Sequence, residues 1–473
     1  MTIRSLQSSQ KIFASALVLC GMVSCQPIGA PSREAKIEVP AAWKSSNEGN
    51  SKKISRGWVQ DLNDPKLVKL VDEAMANNPS ILAAAERLKA SRSSLVRSRA
   101  NRLPFISGST GGNRSRTNRD AAGGSSISSG SKNISLGASW EIDLWGRLRH
   151  LHTSAKVDYD ATVADFRAGR LSLAASTAST WYALISAENQ VQLAEDTLTS
   201  YKKVVKIILR NYKAGTARSI ELQLSRNNVF NAERILRIRL SDRDDIRRNL
   251  ETLLGRYPSA SLKAPKTLPS IPQSIPSGIP ADLIARRPDI VAARLELEAS
   301  FHDAKAAKKD LLPSLGLTGS SGTSSSNYSD LLNVGFLTSS ISASLSQSIF
   351  EAGANREDAR AAVSQNKAAI HDYVGTVLEA YEEVESDLAS EGWLKDQEKY
   401  LRKELEQAGL AERQAERDYA EGVDGVDILD LLETQRRASD ARNALIVLQN
   451  QRIQNRINLY LALGGDFSTR STK

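Results

Sequence analysis

The chain is nearly free of cysteine. Its 473 residues contain two, Cys20 and Cys25. Cys20 falls inside residues 1–24, which read as a cleaved signal peptide. The mature chain is therefore expected to carry no thiol beyond Cys25, which excludes a disulfide, a cysteine metal site and a cysteine nucleophile. Aromatic residues make up only 5% of the chain, and alanine, serine, leucine, arginine and glutamate dominate. That balance points to long exposed helices rather than a compact enzyme core. Histidine is scarce, with four residues. His150 and His152 stand two apart at a helix start with no cysteine pair or clear carboxylate partner, so they do not make a metal site. Walker loops, dinucleotide fingerprints and nucleophile motifs are missing. Gly464-Gly465-Asp466-Phe467 resembles a nucleotide-cyclase signature, but it follows the last helix without α/β context and reads as a glycine helix stop. No enzyme and no cofactor are expected. The formal net charge is +9, yet lysine and arginine alternate with aspartate and glutamate. No dense basic run with stacking aromatics is present, so salt-bridged helix faces are expected and nucleic acid is not.

Long apolar runs are also lacking. The one candidate, Ile12 to Val23 behind Arg4 and Lys11, is about a dozen residues, too short to span a bilayer as a helix and suited to a signal-peptide core. It ends at Met22-Val23-Ser24-Cys25, small residues before a cysteine in the manner of a bacterial lipoprotein cleavage box, with Met22 where leucine is more usual. Cleavage there would leave Cys25 as the acylated amino terminus, a covalent lipid anchor. The other reading is an ordinary secreted protein with an incidental cysteine. Residues 25–63 form the anchor and an extended segment, with 26–56 read as a polar tether.

What the chain does have, it has twice. Asn78-Pro79-Ser80-Ile81 opens one half and Arg287-Pro288-Asp289-Ile290 the other. Each opening leads into a helix, then Leu-Pro, then a serine- and glycine-rich segment. Two long helices follow, broken by a Tyr-x-x-Gly turn at Tyr212 to Gly215 and at Tyr419 to Gly422. The period is about 200 residues, far beyond a solenoid unit. The first repeat covers 64–257, with helices at about 79–102 and 147–254 and strands within about 103–141. A proline-rich connector occupies 258–285. The second repeat covers 286–466, with helices at about 288–311 and 355–463 and strands within about 312–350. A tail, 467–473, closes the chain. Periodic helices this long mean coiled coil or a helical array.

The strand segments alternate. Ile341, Ala343 and Leu345 interleave with Ser342, Ser344 and Ser346, a pattern that suits lipid on one side and water on the other, and equally a surface hairpin. Gly111 to Lys132 and Ser320 to Ser329 read as loops between strands. Trp140 and Trp145 read either as membrane-interface anchors or as packing at the strand–helix junction. Arg114, Arg116 and Arg119 would face the exterior, on a solvated loop or against anionic headgroups. One chain offers four strands. Spanning strands must close into a barrel, and the smallest bacterial barrels have eight. If these strands span a membrane, several copies share one barrel.

Four segments carry a family resemblance: Val39-Pro40-Ala41-Ala42-Trp43, Asp64-Pro65-Lys66-Leu67, Trp140-Glu141-Ile142-Asp143-Leu144-Trp145-Gly146 and Arg286-Arg287-Pro288-Asp289. In this order the chain resembles the outer-membrane efflux proteins, the TolC-type channels, and most closely their lipoprotein branch. The resemblance implies a mainly α fold with a membrane β-barrel. It implies a homotrimer whose twelve strands close one barrel in the outer membrane of a Gram-negative-type cell. The long helices would form a periplasmic tunnel. An inner-membrane pump would deliver substrates through a periplasmic adaptor protein, and conduction through the duct would be passive. The helix-turn-helix tips, Tyr212 and Gly215 in one repeat and Tyr419 and Gly422 in the other, would form the periplasmic entrance and dock the adaptor. Asp427-Ile428-Leu429-Asp430 is similar to the family's acidic gate segment, with Asp424 beside it. Asp427 and Asp430, at i,i+3 spacing, would share a helix face. Ringed at the pore they would attract cations; otherwise they are helix-start acids placed by the macrodipole. The alternatives are the duct of a type I protein-secretion system and a coiled-coil surface lipoprotein without a pore.

Overall fold

Side-chain oxygens placed by the sequence open the helices. In a computed structural model describing residues 28–45, 57–117, 126–266, 268, 280–421, 423 and 425–465, Asp64 Oδ1 accepts from the backbone N–H groups of Lys66 and Leu67 at 2.9 and 3.1 Å. Asn78 Oδ1 accepts from those of Ser80 and Ile81, while its amide donates to Leu253 O at 2.9 Å. Each cap precedes a proline at the first helical position, where the missing N–H costs nothing. The order is α1 (Trp58–Asp61), α2 (Pro65–Asn77), α3 (Pro79–Ala100), β1 (Phe105–Thr117), β2 (Ile127–Ile142), α4 (Arg147–Lys213), α5 (Ser219–Leu253), α6 (Pro280–Arg286), α7 (Pro288–Lys309), β3 (Ser314–Ser325), two 3₁₀ turns (Tyr328–Leu332, Val334–Phe336), β4 (Leu337–Ser346), α8 (Ala354–Glu421) and α9 (Ile428–Ala462). The duplication is thus helix, two strands, long helix, helix, stated twice. α6 begins inside the segment read as connector and ends at Arg286, the first residue of the second repeat. Cys25, Arg119, Gly422, Asp424 and the tail lie outside the described residues.

Contacts divide the chain into two units: residues up to Glu34 with Ser94–Val157 and Glu296–His371, and Ala35–Ser93 with Asp158–Leu295 and Asp372–Lys473. In the first, the strands form one antiparallel sheet in the order β1-β2-β3-β4. The strands reach further than the sequence reading placed them. Gly111 to Thr117 and Ile127 to Lys132 are paired strand, and so are Ser320 to Ser325. Glycine and serine favour turns in isolation, but here cross-strand hydroxyl pairs hold them. Ser109–Ser135, Ser115–Ser129 and Ser320–Ser340 meet at 2.8–2.9 Å.

The junction from β2 to α4 accounts for the motif at 140–146. Trp140 Nε1 donates to Arg102 O at 3.0 Å and Trp145 Nε1 to Pro313 O at 2.7 Å. Arg147 grips both oxygens of Glu141 at 2.8 Å. Asp143 accepts from the N–H groups of Leu148 and Arg149, capping α4. Gly146, at φ +79°, makes the reversal that lets Asp143 reach them.

The second unit is helical. Its core gathers Trp58, Trp181, Tyr182, Leu250, Leu254, Ile457 and Tyr460. Trp58 stacks on Tyr460 with ring centroids 5.6 Å apart, and Trp181 Nε1 donates to Asp64 Oδ2 at 2.7 Å. The segment around Trp43 is not the free tether expected of 26–56. Trp43 is buried edge-on against Tyr381 at 5.9 Å, and the N–H groups of Lys44 and Ser45 both donate to Glu385 at 2.8 Å. Arg287 of the second repeat's opening pairs with Asp289 at 2.9 Å and Glu383 at 2.6 Å, and donates to Ala462 O. Between α8 and α9, Glu391 accepts from Arg456 at 3.0 Å and from Arg452 at 3.3 Å, and Arg452 also grips Glu398. Arg456 is only 2% exposed. Removing Glu391 would take this carboxylate from a buried guanidinium and destabilise the fold.

Both helix pairs stop at glycine. At Gly464, φ is +65°, and the N–H groups of Gly464 and Gly465 return to Leu461 and Tyr460, the backbone closure of a helix stop. Gly255 ends α5 the same way at φ +72°, and a β-carbon there would sit 2.5 Å from Asn77 O. Gly215 at the first tip has φ +78° with open space around it. Gly255→Ala should therefore lower the melting temperature clearly more than Gly215→Ala, which carries only the left-handed penalty of about 1–2 kcal/mol. Differential scanning calorimetry of the two variants checks the ranking.

Burial and the neighbouring Glu383 and Glu382 push the Asp387 carboxyl up to about 7. The folded chain then holds a proton that the unfolded chain has released above about pH 4. This contribution is full at low pH and lost as pH rises through 7. Denaturant midpoints should fall as pH rises from about 4 to 7 and level off above that, and Asp387→Asn should flatten that fall.

Candidate functional site

The sheet has two chemically distinct faces, and the register fixes them. Partners across an antiparallel ladder point the same way. One face carries Ile106, Ile134, Leu136, Ala138, Trp140, Leu315, Leu317, Ile341, Ala343 and Leu345; the other carries Ser107, Ser109, Ser135, Ser139, Thr318, Ser320, Ser340, Ser342 and Ser344. The apolar side chains are not covered: Ile341 is 84% exposed, Ile106 72% and Leu345 66%. Apolar surface of this extent in water is unfavourable by about 25 cal/mol per Å², so the face calls for an apolar surrounding. The other face offers a dense array of hydroxyls. From Leu345 to Leu337 this face extends nine residues, interrupted by the Ser321–Ser339 hydroxyl pair, close to the roughly 9–11 a tilted strand needs to cross a bilayer. No described helix is long and apolar enough to cross one. β1 and β4 each pair on one side only, leaving two rows of backbone groups unpaired.

The helix reversals form the second element. At the first, the N–H of Thr216 returns to Asn211 O at 2.9 Å and that of Gly215 to Tyr212 O at 3.1 Å, closing α4. Arg218 pairs with Glu221 at 2.7 Å as α5 begins. Val204, Ile208 and Leu222 from this reversal pack with Ala415, Ile428, Leu431 and Leu432 from the other, and Tyr419 lies against the cluster. Tyr419 is half-buried and Tyr212 is exposed. Burial, Glu221 and Asp427 push the Tyr419 hydroxyl up. The two tips are therefore brought together by a small apolar core of their own.

Asp427 and Asp430 do not lie side by side on a helix face. Asp427 precedes α9 as its cap. Its Oδ1 accepts from the N–H of Leu429 at 2.7 Å and of Asp430 at 3.1 Å, and Asp430 Oδ2 accepts from the N–H of Asp427 at 3.1 Å. The three-residue spacing produces a reciprocal capping box, with aspartate where glutamate is commoner. Both residues are exposed, so capping leaves carboxylate oxygens facing outward. Two roles that compete in sequence are compatible in space.

A histidine pair escaped the sequence reading because its members are far apart in the chain. His150 Nδ1 meets His302 Nδ1 at 2.8 Å, and Arg33 Nη2 donates to His302 Nε2 at 3.2 Å. With Nε2 accepting, His302 donates from Nδ1 and both rings are neutral. Burial and Lys309 lower His150 to about 4, so the pair stays neutral at ordinary pH. His152 instead meets Ser98 at 3.0 Å. Among the described residues no three His, Cys, Asp or Glu groups gather to hold a metal.

Asp427→Ala should loosen the start of α9 by about 1 kcal/mol, whereas Asp427→Asn, which keeps the acceptor, should not. Hydrogen exchange at Leu429 and Asp430 reads the difference.

The chain is similar to proteins of known role along nearly its whole length. It is 30% identical over 464 residues to the solvent efflux pump outer membrane protein SrpC of Pseudomonas putida, covering 96% of this chain and 97% of that protein. It is 31% identical over 449 residues to the outer membrane protein OprJ of Pseudomonas aeruginosa, covering 93% of each. Among solved structures it matches the outer-membrane channel OprN with a TM-score of 0.83 at 25% identity, covering 93% of this chain and 100% of that one. It also matches the open state of the Neisseria gonorrhoeae MtrE outer membrane channel with a TM-score of 0.79 at 28% identity, covering 94% and 100%. The outer membrane efflux protein family matches at residues 70–256 and 279–465, once for each repeat. With two-faced strands, paired helix tips and a family match over both repeats, this chain belongs to the outer membrane efflux protein family.

Proposed function

We propose that this protein is the outer-membrane channel of a tripartite efflux system, a passive exit duct. The observation that carries the reading is the sheet: one face apolar and uncovered, one face lined with hydroxyls, and both edges open. In lipid an open edge is untenable, so such a sheet closes with sheets from other copies. Three copies give twelve strands in one barrel, apolar side to lipid and hydroxyl side to the lumen. The long helices form a periplasmic tunnel. Cys25 carries the lipid that holds the amino terminus to the membrane. The tips at Tyr212, Gly215, Tyr419 and Gly422 receive a periplasmic adaptor, through which an inner-membrane pump delivers substrate. Efflux rather than protein secretion is favoured by relatives named as efflux pump outer membrane proteins. The sheet's two faces argue against a poreless coiled-coil lipoprotein.

Asp427 and Asp430, with Asp424, supply negative charge at the periplasmic entrance. Three copies would place six carboxylates of the capping pair around the axis, attracting cations. The test is single-channel conductance in planar bilayers of wild type against Asp427→Asn/Asp430→Asn, which preserves the cap's acceptors. Channels with a weakened cation preference in the variant are expected. Unchanged selectivity would return both residues to capping alone. Folded, oligomeric protein that never conducts, even with Asp427→Asn/Asp430→Asn, would sink the duct.

A further inference from the structure

The apolar face of the sheet ends in three cations. Beyond Ile134, the same face continues through Lys132, Arg114 and Arg116, whose register partners on the neighbouring strand are Gly112, Gly130 and Ser128. Those small partners leave the cations uncrowded. Lys132 is held in place: its Nζ donates to Ser326 O at 3.1 Å and stands 3.5 Å from the centre of the Tyr328 ring. Arg116 Nη2 donates to Ser126 Oγ at 3.2 Å. Arg114 and Arg116 are exposed, and no described carboxylate pairs with any of the three. Successive two-residue steps spread them over about 13 Å along the strand. The face is therefore mainly apolar, with Thr110, Thr323 and the Ser321–Ser339 pair among its apolar residues, and then cationic, with a tyrosine beneath the first cation. At its opposite end the face carries Trp140, Ile142, Leu315 and Leu345 and no cation.

We propose that Lys132, Arg114 and Arg116 form a binding surface for the phosphates of a phosphorylated glycolipid in the outer leaflet. The inference rests on the duct reading, which turns the apolar face to lipid and puts the strand ends remote from the helices on the outer side. A cation at the rim of an apolar band keeps its stem in the acyl region and its head at phosphate level. Guanidinium groups match phosphate oxygens bidentately, and the ammonium adds a point charge. Serine and glycine around them leave room for a bulky headgroup.

The test uses detergent-solubilised full-length protein and native mass spectrometry with diphosphorylated lipid A, the same lipid A dephosphorylated, and inorganic phosphate as competitor. Wild type should prefer the phosphorylated form by roughly tenfold or more. Arg114→Gln/Arg116→Gln/Lys132→Gln should lose that preference, and Arg114→Lys/Arg116→Lys should keep most of it. Equal binding of both lipids by wild type, an undiminished preference in the triple glutamine variant, or displacement by equimolar inorganic phosphate would each overturn the proposal. Conductance of the same wild-type preparation in pure phospholipid bilayers separates the two readings. Channels without phosphate preference sink the lipid site alone, whereas folded protein that never conducts, even with Asp427→Asn/Asp430→Asn, sinks the duct and, with it, the site's placement in the outer leaflet.

Discussion

Unpaired backbone at the edges of a four-stranded sheet sets the terms for this molecule. β1 and β4 each leave one side of their ladder open, and the face between them is apolar and uncovered. In water, such a sheet invites aggregation through its edges. In lipid it must close, because no solvent is present to satisfy the orphaned groups. Both pressures point to assembly with further copies, which also explains why one chain can be so poor in aromatic core residues. On the proposed reading, much of what would be core in a monomer is surface for lipid or another copy.

The helices answer a related problem differently. Helices of 67 and 68 residues cannot each bury a conventional core. They are held by small apolar clusters at intervals and by ion pairs between them. The cluster around Ile208 and Ile428 fastens the two reversals; the aromatic core around Trp58 and Trp181 joins the middle of α4 to the ends of α5 and α9. Between such points, Glu391, Glu398, Arg452 and Arg456 lace α8 to α9. Buried ion pairs contribute little net stability, but mispairing them is costly, so they enforce helix register more than they add to stability. The chain's near balance of acids and bases, rather than its net charge, reflects this use.

Much of the architecture was legible from sequence because it rests on local chemistry. The proline-opened helices, the glycine stop at Gly464 and the Asp143 cap within the junction at 140–146 follow from residues a few positions apart, and the duplicated order from the same local motifs recurring. The strand extents were misread because serine and glycine look like loop until their cross-strand partners, such as Ser135 for Ser109, are known. The packing of Trp43 on Tyr381 and of His150 against His302 joins residues distant in sequence, which no local pattern announces. Asp427 and Asp430 were legible as a pair, but their arrangement was not. A three-residue spacing means a shared face inside a helix and a reciprocal cap at its start, and only the position of the helix boundary decides between them.

The claim on which the whole account turns is that several copies close one barrel. Native mass measurement of the protein extracted from membranes in mild detergent tests it directly. The account predicts a complex of three chains that persists while the sheet remains folded. A folded, membrane-extracted single chain, stable at concentrations where the complex should persist, would contradict it, because its open edges would then need no partner.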